Sequence, residues 1–99
     1  MGYCRVVEFE WDEAKSHACL ADRGFDFAYV LRAFVDPDGL VRRDHRWDYG
    51  EDRFQLIGKI EERVFMVIYT MRHPSIRIIS ARKANRREVS DYENSTREN

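Results

Sequence analysis

Several features that mark whole classes of protein are scarce or absent in this sequence of 99 residues. No apolar run approaches the roughly 18 residues of a membrane-spanning helix, and the opening residues turn acidic where a signal peptide would carry its apolar segment. The two cysteines, Cys4 and Cys19, lack the C-x-x-C or Cys/His spacing of a zinc site. We therefore expect a cytoplasmic protein that crosses no membrane and keeps its thiols reduced.

Motifs of several enzyme classes are also missing. No glycine-rich loop is present to hold a nucleotide phosphate, and Ser80 lacks the flanking glycines of a nucleophile elbow. Acidic residues in the central turns leave a magnesium-dependent nuclease open as an alternative. Aspartate is favoured in turns for conformational reasons alone, however, so we expect neither a metal nor another cofactor.

The residues that are present indicate one packed domain. Hydrophobic residues make up 43% of the chain and aromatic residues 13%, a composition typical of a globular core and not of a disordered chain. A chain of this length has room for a single core. We expect a domain over residues 1–94 and a frayed C-terminal tail over residues 95–99.

Charge is unevenly distributed along the chain. Residues 1–62 carry nine Lys and Arg against fourteen Asp and Glu, whereas residues 63–99 carry eight against four. From Arg63 to Arg87 there are seven cations, six of them arginine, and no acid. Such a local field attracts phosphate, and a guanidinium group fits two phosphate oxygens at once. This basic segment is a candidate phosphate-binding surface, the alternative being ordinary solvated charge.

Hydrophobic periodicity predicts two helices after a short opening strand. Residues 7–11 alternate as a strand does, and Asp12 is a candidate N-cap for a helix that ends at Gly24. Asp26 is a candidate N-cap for a second helix. Its apolar residues recur at the spacing of a buried helix face, at Phe27, Val30, Leu31 and Phe34.

The second half of the chain predicts strands. After a turn over residues 36–39, we expect a short polar strand at residues 40–46. Alternating or apolar segments follow at residues 54–60, 64–69 and 76–81, and a final helix ends near Asn94. The segment 64–69 is apolar on both parities and belongs in the middle of a sheet. The predicted fold class is α+β, with two N-terminal helices, an antiparallel sheet of three to four strands and a C-terminal helix.

The hairpin of residues 64–81 brings arginines together in one of two ways. If paired residues have numbers with an even sum, Arg72 and Arg82 share a sheet face; if the sum is odd, Arg72 shares a face with Arg77. Either register suits an anionic group with several oxygens. Three more cations follow where backbone N–H groups at the start of the final helix add to the field: Lys83, Arg86 and Arg87.

The loop before residue 54 carries candidate proton-transfer groups. Cleaving RNA without a metal requires a base for the ribose 2′-OH, cations for the phosphorane and an acid for the leaving 5′-oxygen. His45, Tyr49 and Glu51 are candidates for proton transfer, and Arg53 with the hairpin arginines for charge. Trp47 and Tyr49 are candidates for base stacking. The structural alternatives are an exposed polar role for His45 and an ion pair for Glu51.

Seven short motifs, taken in order, resemble the BrnT toxin family. They are F-E-W-D-x-x-K (Phe9 to Lys15), G-x-x-F (Gly24 to Phe27), D-P (Asp36-Pro37), G-E-D-R-F-x-x-I-G (Gly50 to Gly58), T-x-R (Thr70 to Arg72), R-I-I-S-A-R-K-A (Arg77 to Ala84) and E-x-x-x-Y (Glu88 to Tyr92). The resemblance spans about residues 7 to 93, and its last two motifs are the most specific. The chain departs from it where the usual N-L-x-K-H-G is replaced by Cys19 to Gly24.

The resemblance implies a RelE-like ribonuclease fold and metal-independent RNA cleavage that halts translation. It also implies neutralisation by a BrnA antitoxin with a ribbon-helix-helix domain, so that the toxin reaches DNA only through its antitoxin. The positions on the family's polar signature, our candidate catalytic residues, are Glu51, Arg53, Arg72 and Arg82. Our candidates for RNA binding are Arg77, Lys83, Arg86, Arg87 and His45. The alternative function is a non-catalytic module that binds RNA or an acidic partner through the same basic face.

Overall fold

The computed structural model describes residues 8–45 and 50–97. Its elements are β1 (Glu8–Trp11), α1 (Glu13–Arg23), α2 (Phe27–Val30), a 3-10 helix (Leu31–Val35), β2 (Leu40–Arg43), β3 (Arg53–Ile60), β4 (Arg63–Arg72), β5 (Ser75–Lys83) and α3 (Arg86–Arg97). The predicted α+β class is confirmed. Predictions that involve Cys4, Val7, Arg46, Trp47 and Tyr49 lie outside the described residues.

The five strands form one mixed sheet in the order β1, β5, β4, β3, β2. β1 runs parallel to β5, and the other neighbours are antiparallel. The prediction of three to four antiparallel strands was therefore wrong in strand number and in direction at one edge. Alternation identified the opening strand, but it carries no information about a partner as distant in sequence as Ser75, which pairs with Glu8. The central position predicted for residues 64–69 is confirmed, because β4 is the middle strand.

Both predicted helix caps form at the start of the helical layer. The Asp12 carboxylate accepts hydrogen bonds from Ala14 N and Lys15 N, and α1 ends at Gly24 with φ of 87°. Asp26 caps α2 by accepting from Tyr29 N at 2.9 Å. The predicted caps therefore fix where both helices begin.

The second helix is shorter and more tightly wound than predicted. After four α-helical residues the chain continues as a 3-10 helix, which has three residues per turn. The fully buried positions accordingly follow a spacing of three, at Phe27, Val30 and Ala33, whereas Leu31 and Phe34 are only partly buried. The 3-10 segment packs closely on β3, where a Cβ on Gly58 would lie 2.8 Å from the Ala33 carbonyl oxygen.

The two faces of the sheet carry separate apolar clusters. One face packs against α1, α2 and the 3-10 helix around residues such as Phe27, Val67 and Ile78. On the other face, Tyr92 of α3 packs with Ile57, Met66 and Ile68. α3 continues to Arg97 instead of ending near Asn94. No helix within the described ranges combines the length and the apolar character needed to cross a membrane.

Candidate active site

The register between β4 and β5 decides which arginines share a face. Next to the turn, Arg72 pairs with Ser75 and Thr70 with Arg77, so the numbers of the partners have an odd sum. A β-bulge then shifts the register, and Arg82 pairs with Met66 with an even sum. Because partners share a face and alternate residues return to it, both predicted registers occur and place Arg72, Arg77 and Arg82 on the face of α3.

A row of polar side chains crosses four strands of this face. Arg53 of β3 pairs with Thr70 of β4, Thr70 with Arg77 of β5, and Arg77 with Glu10 of β1. Arg77 donates a hydrogen bond of 3.0 Å to the Glu10 carboxylate. With strands about 4.8 Å apart, the backbones of Arg53 and Arg77 lie roughly 10 Å from each other. We call the set Glu10, Glu51, Arg53, Arg72 and Arg77 the arginine face.

Glu51 stands between two arginines of the arginine face. Its Oε2 lies 3.4 Å from Arg53 Nε, and its Oε1 lies 3.5 Å from an Arg72 guanidinium nitrogen. The side chains of Glu51, Arg53 and Arg72 are 30%, 23% and 52% exposed. A carboxylate held by two partly exposed arginines marks a position at which an anionic group from solvent can bind.

The segment that carries Glu51 is fastened to the sheet on both sides. The Thr70 hydroxyl donates a 2.6 Å hydrogen bond to the Asp52 carbonyl oxygen, and the Asp52 carboxylate pairs with Arg43. Asp44 N donates to the Arg53 carbonyl oxygen at 2.8 Å. The exposed His45 therefore follows directly on a residue anchored beside the arginine face.

Arg82 lies apart from the other three candidate catalytic residues. Its partner Met66 is six residues from Arg72 on β4, which corresponds to roughly 20 Å along the strand. Arg82 donates hydrogen bonds of 2.8 Å to both carboxylate oxygens of Glu88 in α3. Burial alone would raise the pKa of Glu88, but the hydrogen bonds from Arg82 and Asn85 N outweigh it and lower that pKa. The sheet thus brings together three of the four residues and not the fourth.

A second polar contact joins α3 to Asp36, the residue that follows the 3-10 helix. The Tyr92 hydroxyl donates a 2.6 Å hydrogen bond to Asp36, which also accepts from Lys59 N at 2.7 Å. Burial and the Asp36 carboxylate together raise the pKa of Tyr92. Burial would raise the pKa of Asp36 too, but its hydrogen bonds from Tyr92, Lys59 and Asp38 lower it. These contacts hold α3 in place, and none of them involves a residue of the arginine face.

One protein family matches most of the chain. Its sequence model, described as ribonuclease toxin, BrnT, of type II toxin-antitoxin system, matches residues 11–88. The chain belongs to this family. No curated protein matches the sequence in a direct comparison.

The BrnT match assigns ribonuclease activity to the chain and implies RNA as substrate and a protein antitoxin as partner. It covers the whole arginine face except Glu10, and it ends at Glu88, the partner of Arg82. Its C-terminal part therefore contains the contact that joins β5 to α3 as well as residues of the candidate active site.

The stretch in which this BrnT chain departs from the expected motif lies at the other end of the sheet. Arg23 ends α1 and lines a groove with a cavity volume of about 610 Å³, together with Phe65 and Lys83. Lys83, Arg86 and Arg87 are exposed around the start of α3. These cations lie near Arg82 and away from Glu51.

Several polar residues on or beside the arginine face were not predicted from the sequence. The alternation of residues 7–11 predicts a strand but no partner for Glu10, which pairs with Arg77. The T-x-R motif contains Thr70 but indicates no role for it. The polar strand predicted at residues 40–46 contains Arg42 but does not predict its hydrogen bonds to Gln55 and Asp91. These residues become apparent from the register across neighbouring strands. That register depends on the β-bulge between β4 and β5 and on the parallel pairing of β1 with β5.

Within residues 8–45 and 50–97, no three His, Cys, Asp or Glu side chains converge as a metal site.

Proposed function

We propose that this chain is an endoribonuclease that cleaves RNA without a metal ion on its arginine face. The observation that carries the proposal is the position of the Glu51 carboxylate between Arg53 and Arg72, at 3.4 and 3.5 Å. These two guanidinium groups are aimed at one anionic group and remain partly exposed. They supply positive charge of the kind that stabilises a crowded, doubly charged phosphorane.

The proposed step transfers two protons. Glu51 accepts the proton of the ribose 2′-OH, the 2′-oxygen attacks phosphorus, and the bond from phosphorus to the 5′-oxygen breaks. His45, exposed beside the anchored Asp44, donates a proton to the leaving 5′-oxygen. The products are a 2′,3′-cyclic phosphate and a 5′-hydroxyl end. The scissile phosphate lies against Arg53 and Arg72, and Glu51 stays beside it to accept the proton.

The remaining cations are assigned to binding the RNA backbone. Arg77 lies in the same cross-strand row as Arg53 and extends the positive surface towards β1. Three more cations lie around the end of β5 and the start of α3 and contact phosphates farther along the RNA: Lys83, Arg86 and Arg87. Such contacts position a nucleic acid without reading its sequence. Arg82 is assigned to holding α3, because its guanidinium group donates to both carboxylate oxygens of Glu88.

The antitoxin partner is proposed to be a BrnA-type protein with a ribbon-helix-helix domain. A type II system implies a protein antitoxin, and the BrnT resemblance supports this type of partner and a RelE-like fold. The toxin would inhibit translation in the cytoplasm when it is free of the antitoxin. It would contact its operator DNA only through the antitoxin.

Incubating the purified protein with single-stranded RNA in EDTA tests the proposal. We expect cleavage by the parent protein, and a rate lower by about 100-fold or more for Glu51→Gln and for Arg72→Ala. Arg63→Ala is the matched control, because Arg63 begins the same strand that Arg72 ends, roughly 30 Å away. Its rate should stay within about twofold of the parent rate.

Two other results would count against the proposal. Cleavage that appears only after Mg²⁺ is added would indicate that the acidic turns bind a catalytic metal. Intact RNA that stays bound, with an affinity that falls steeply as salt rises, would indicate the non-catalytic binding module.

A further inference from the structure

We propose that Thr70 is a positioning residue whose hydroxyl holds the Glu51 segment against the two arginines. This inference rests on the proposed function, because it concerns the geometry of the same site. Thr70 does not reach solvent, since only 2% of its surface is exposed. It therefore acts on the chemistry through the backbone of the neighbouring segment and not through contact with RNA.

The position of Thr70 in the sheet explains why it can have this effect. It lies on the central strand β4, directly between its partners Arg53 on β3 and Arg77 on β5. The side chain lies on the arginine face, two residues before Arg72. A rigid, central strand thus carries both the hydroxyl that fixes the loop and one of the arginines that Glu51 contacts.

The contact itself is short and specific. Thr70 Oγ1 donates to the Asp52 carbonyl oxygen at 2.6 Å, and Asp52 is bonded covalently to Glu51. Glu51 precedes the first residue of β3, so the ladder hydrogen bonds of the sheet do not fix its position. The Thr70 hydroxyl supplies a fixed point one residue away. Without it, the distances of 3.4 and 3.5 Å from Glu51 to Arg53 and Arg72 would vary more widely.

A valine at this position separates the hydroxyl from the packing. Valine keeps the branched shape of threonine but donates no hydrogen bond. If Thr70 only filled space, Thr70→Val would leave catalysis unchanged. If its hydroxyl positions Glu51, the variant loses rate while RNA binding, which is assigned to Arg77 and to the cations around the start of α3, is retained.

The experiment measures kcat, RNA affinity and thermal stability for the parent, Thr70→Val and Thr70→Ser. We expect Thr70→Val to lower kcat by about tenfold or more, since small misplacements of catalytic groups have effects of this size or larger. The RNA affinity of Thr70→Val should change by less than about threefold. Thr70→Ser keeps a hydroxyl, and its kcat should stay within about threefold of the parent value. An unchanged kcat in folded Thr70→Val, or an equal loss in Thr70→Ser, would overturn the inference.

A second measurement works whether or not the protein cleaves RNA. The Arg53 Nε–H donates towards Glu51, so its NMR resonance reports this contact directly. Thr70→Val should shift it in the same direction as Glu51→Gln, and Thr70→Ser should not. If the parent cleaves no RNA, the proposed function fails, but this resonance still decides the role of Thr70. If Thr70→Val does not fold, Thr70→Ala replaces it as the variant without a hydroxyl.

Discussion

The guanidinium group of Arg82 and the carboxylate of Glu88 form a pair with two parallel hydrogen bonds of 2.8 Å. Glu88 also accepts from Asn85 N at 2.9 Å, and Asn85 Oδ1 accepts from Glu88 N at 2.8 Å. The reciprocal bonds between Asn85 and Glu88 form a capping box at the start of α3. Strand β5 and helix α3 are therefore joined at the point where the helix begins.

This relationship predicts that Arg82 contributes to stability. Arg82→Ala leaves a mostly buried carboxylate without its charged partner, and we expect a loss of roughly 1–3 kcal/mol in the free energy of unfolding. Urea denaturation measures the loss. Arg86→Ala, an exposed arginine at the first position of α3, is the control and should change stability by less than about 0.5 kcal/mol.

The same variant distinguishes a structural role of Arg82 from a catalytic one. At a temperature where Arg82→Ala stays folded, RNA cleavage should remain within about threefold of the parent rate. A loss of cleavage rate comparable to that of Arg72→Ala, with unchanged stability, would show that Arg82 is catalytic, as the family resemblance implies.

The contact between Tyr92 and Asp36 predicts a second loss of stability. Tyr92→Phe keeps the ring in its cluster but removes the 2.6 Å hydrogen bond to a carboxylate. We expect a loss of roughly 1.5–3 kcal/mol, the range for hydrogen bonds to charged groups. Tyr29→Phe removes a 3.4 Å bond to the exposed Glu61 and should cost less than about 0.5 kcal/mol. Equal losses in the two variants would contradict the role assigned to Asp36.

Stability should fall in acid because of two carboxylates. Hydrogen bonds lower the pKa values of Glu88 and Asp36 below their ordinary values of 4.5 and 3.8, against the opposing effect of burial. Such groups stabilise the fold above the unfolded pKa and lose this contribution as pH falls through the folded pKa. We therefore expect the free energy of unfolding to decline below about pH 4.5. Glu88→Gln should show a shallower decline in urea denaturation series; a curve parallel to that of the parent would contradict this assignment.

The sequence allowed the local features of the fold to be predicted. Asp12 and Asp26 are capping residues whose partners lie within three residues, so their geometry is set by the local chain. The apolar segment 64–69 revealed the central strand because both of its faces are covered. In the site, Glu51, Arg53 and Arg72 were proposed from charge type and family resemblance, and the fold places them in contact.

Features that depend on distant pairing were not accessible in the same way. The bulge between β4 and β5 makes both registers correct in different parts of one hairpin, and no residue pattern in the segment encodes it. Glu10 joins the arginine face only because β1 pairs in parallel with β5. The second helix shows the limit of periodicity, since apolar residues at Leu31 and Phe34 fitted an α-helix while Ala33 became the buried position of a tighter one.

The close approach of β3 to the 3-10 helix gives a final prediction in which two effects oppose each other. Gly58→Ala reduces the freedom of the unfolded chain, which stabilises a protein by about 0.4–1 kcal/mol where the methyl group fits. Here the added Cβ would lie 2.8 Å from the Ala33 carbonyl oxygen and 3.1 Å from its Cβ. Overpacking costs about 1–3 kcal/mol, and the nearest atom is backbone, which cannot rotate away, so the clash should dominate.

We therefore expect Gly58→Ala to lower the free energy of unfolding by roughly 1–2 kcal/mol in urea denaturation. Ser80→Ala, on an exposed position of β5, introduces alanine into a strand without a clash and should change stability by less than about 0.5 kcal/mol. A more stable Gly58→Ala protein would mean that the 3-10 helix moves away from β3 at little cost. The tight winding of residues 31–35 would then not be required by the contact with Gly58.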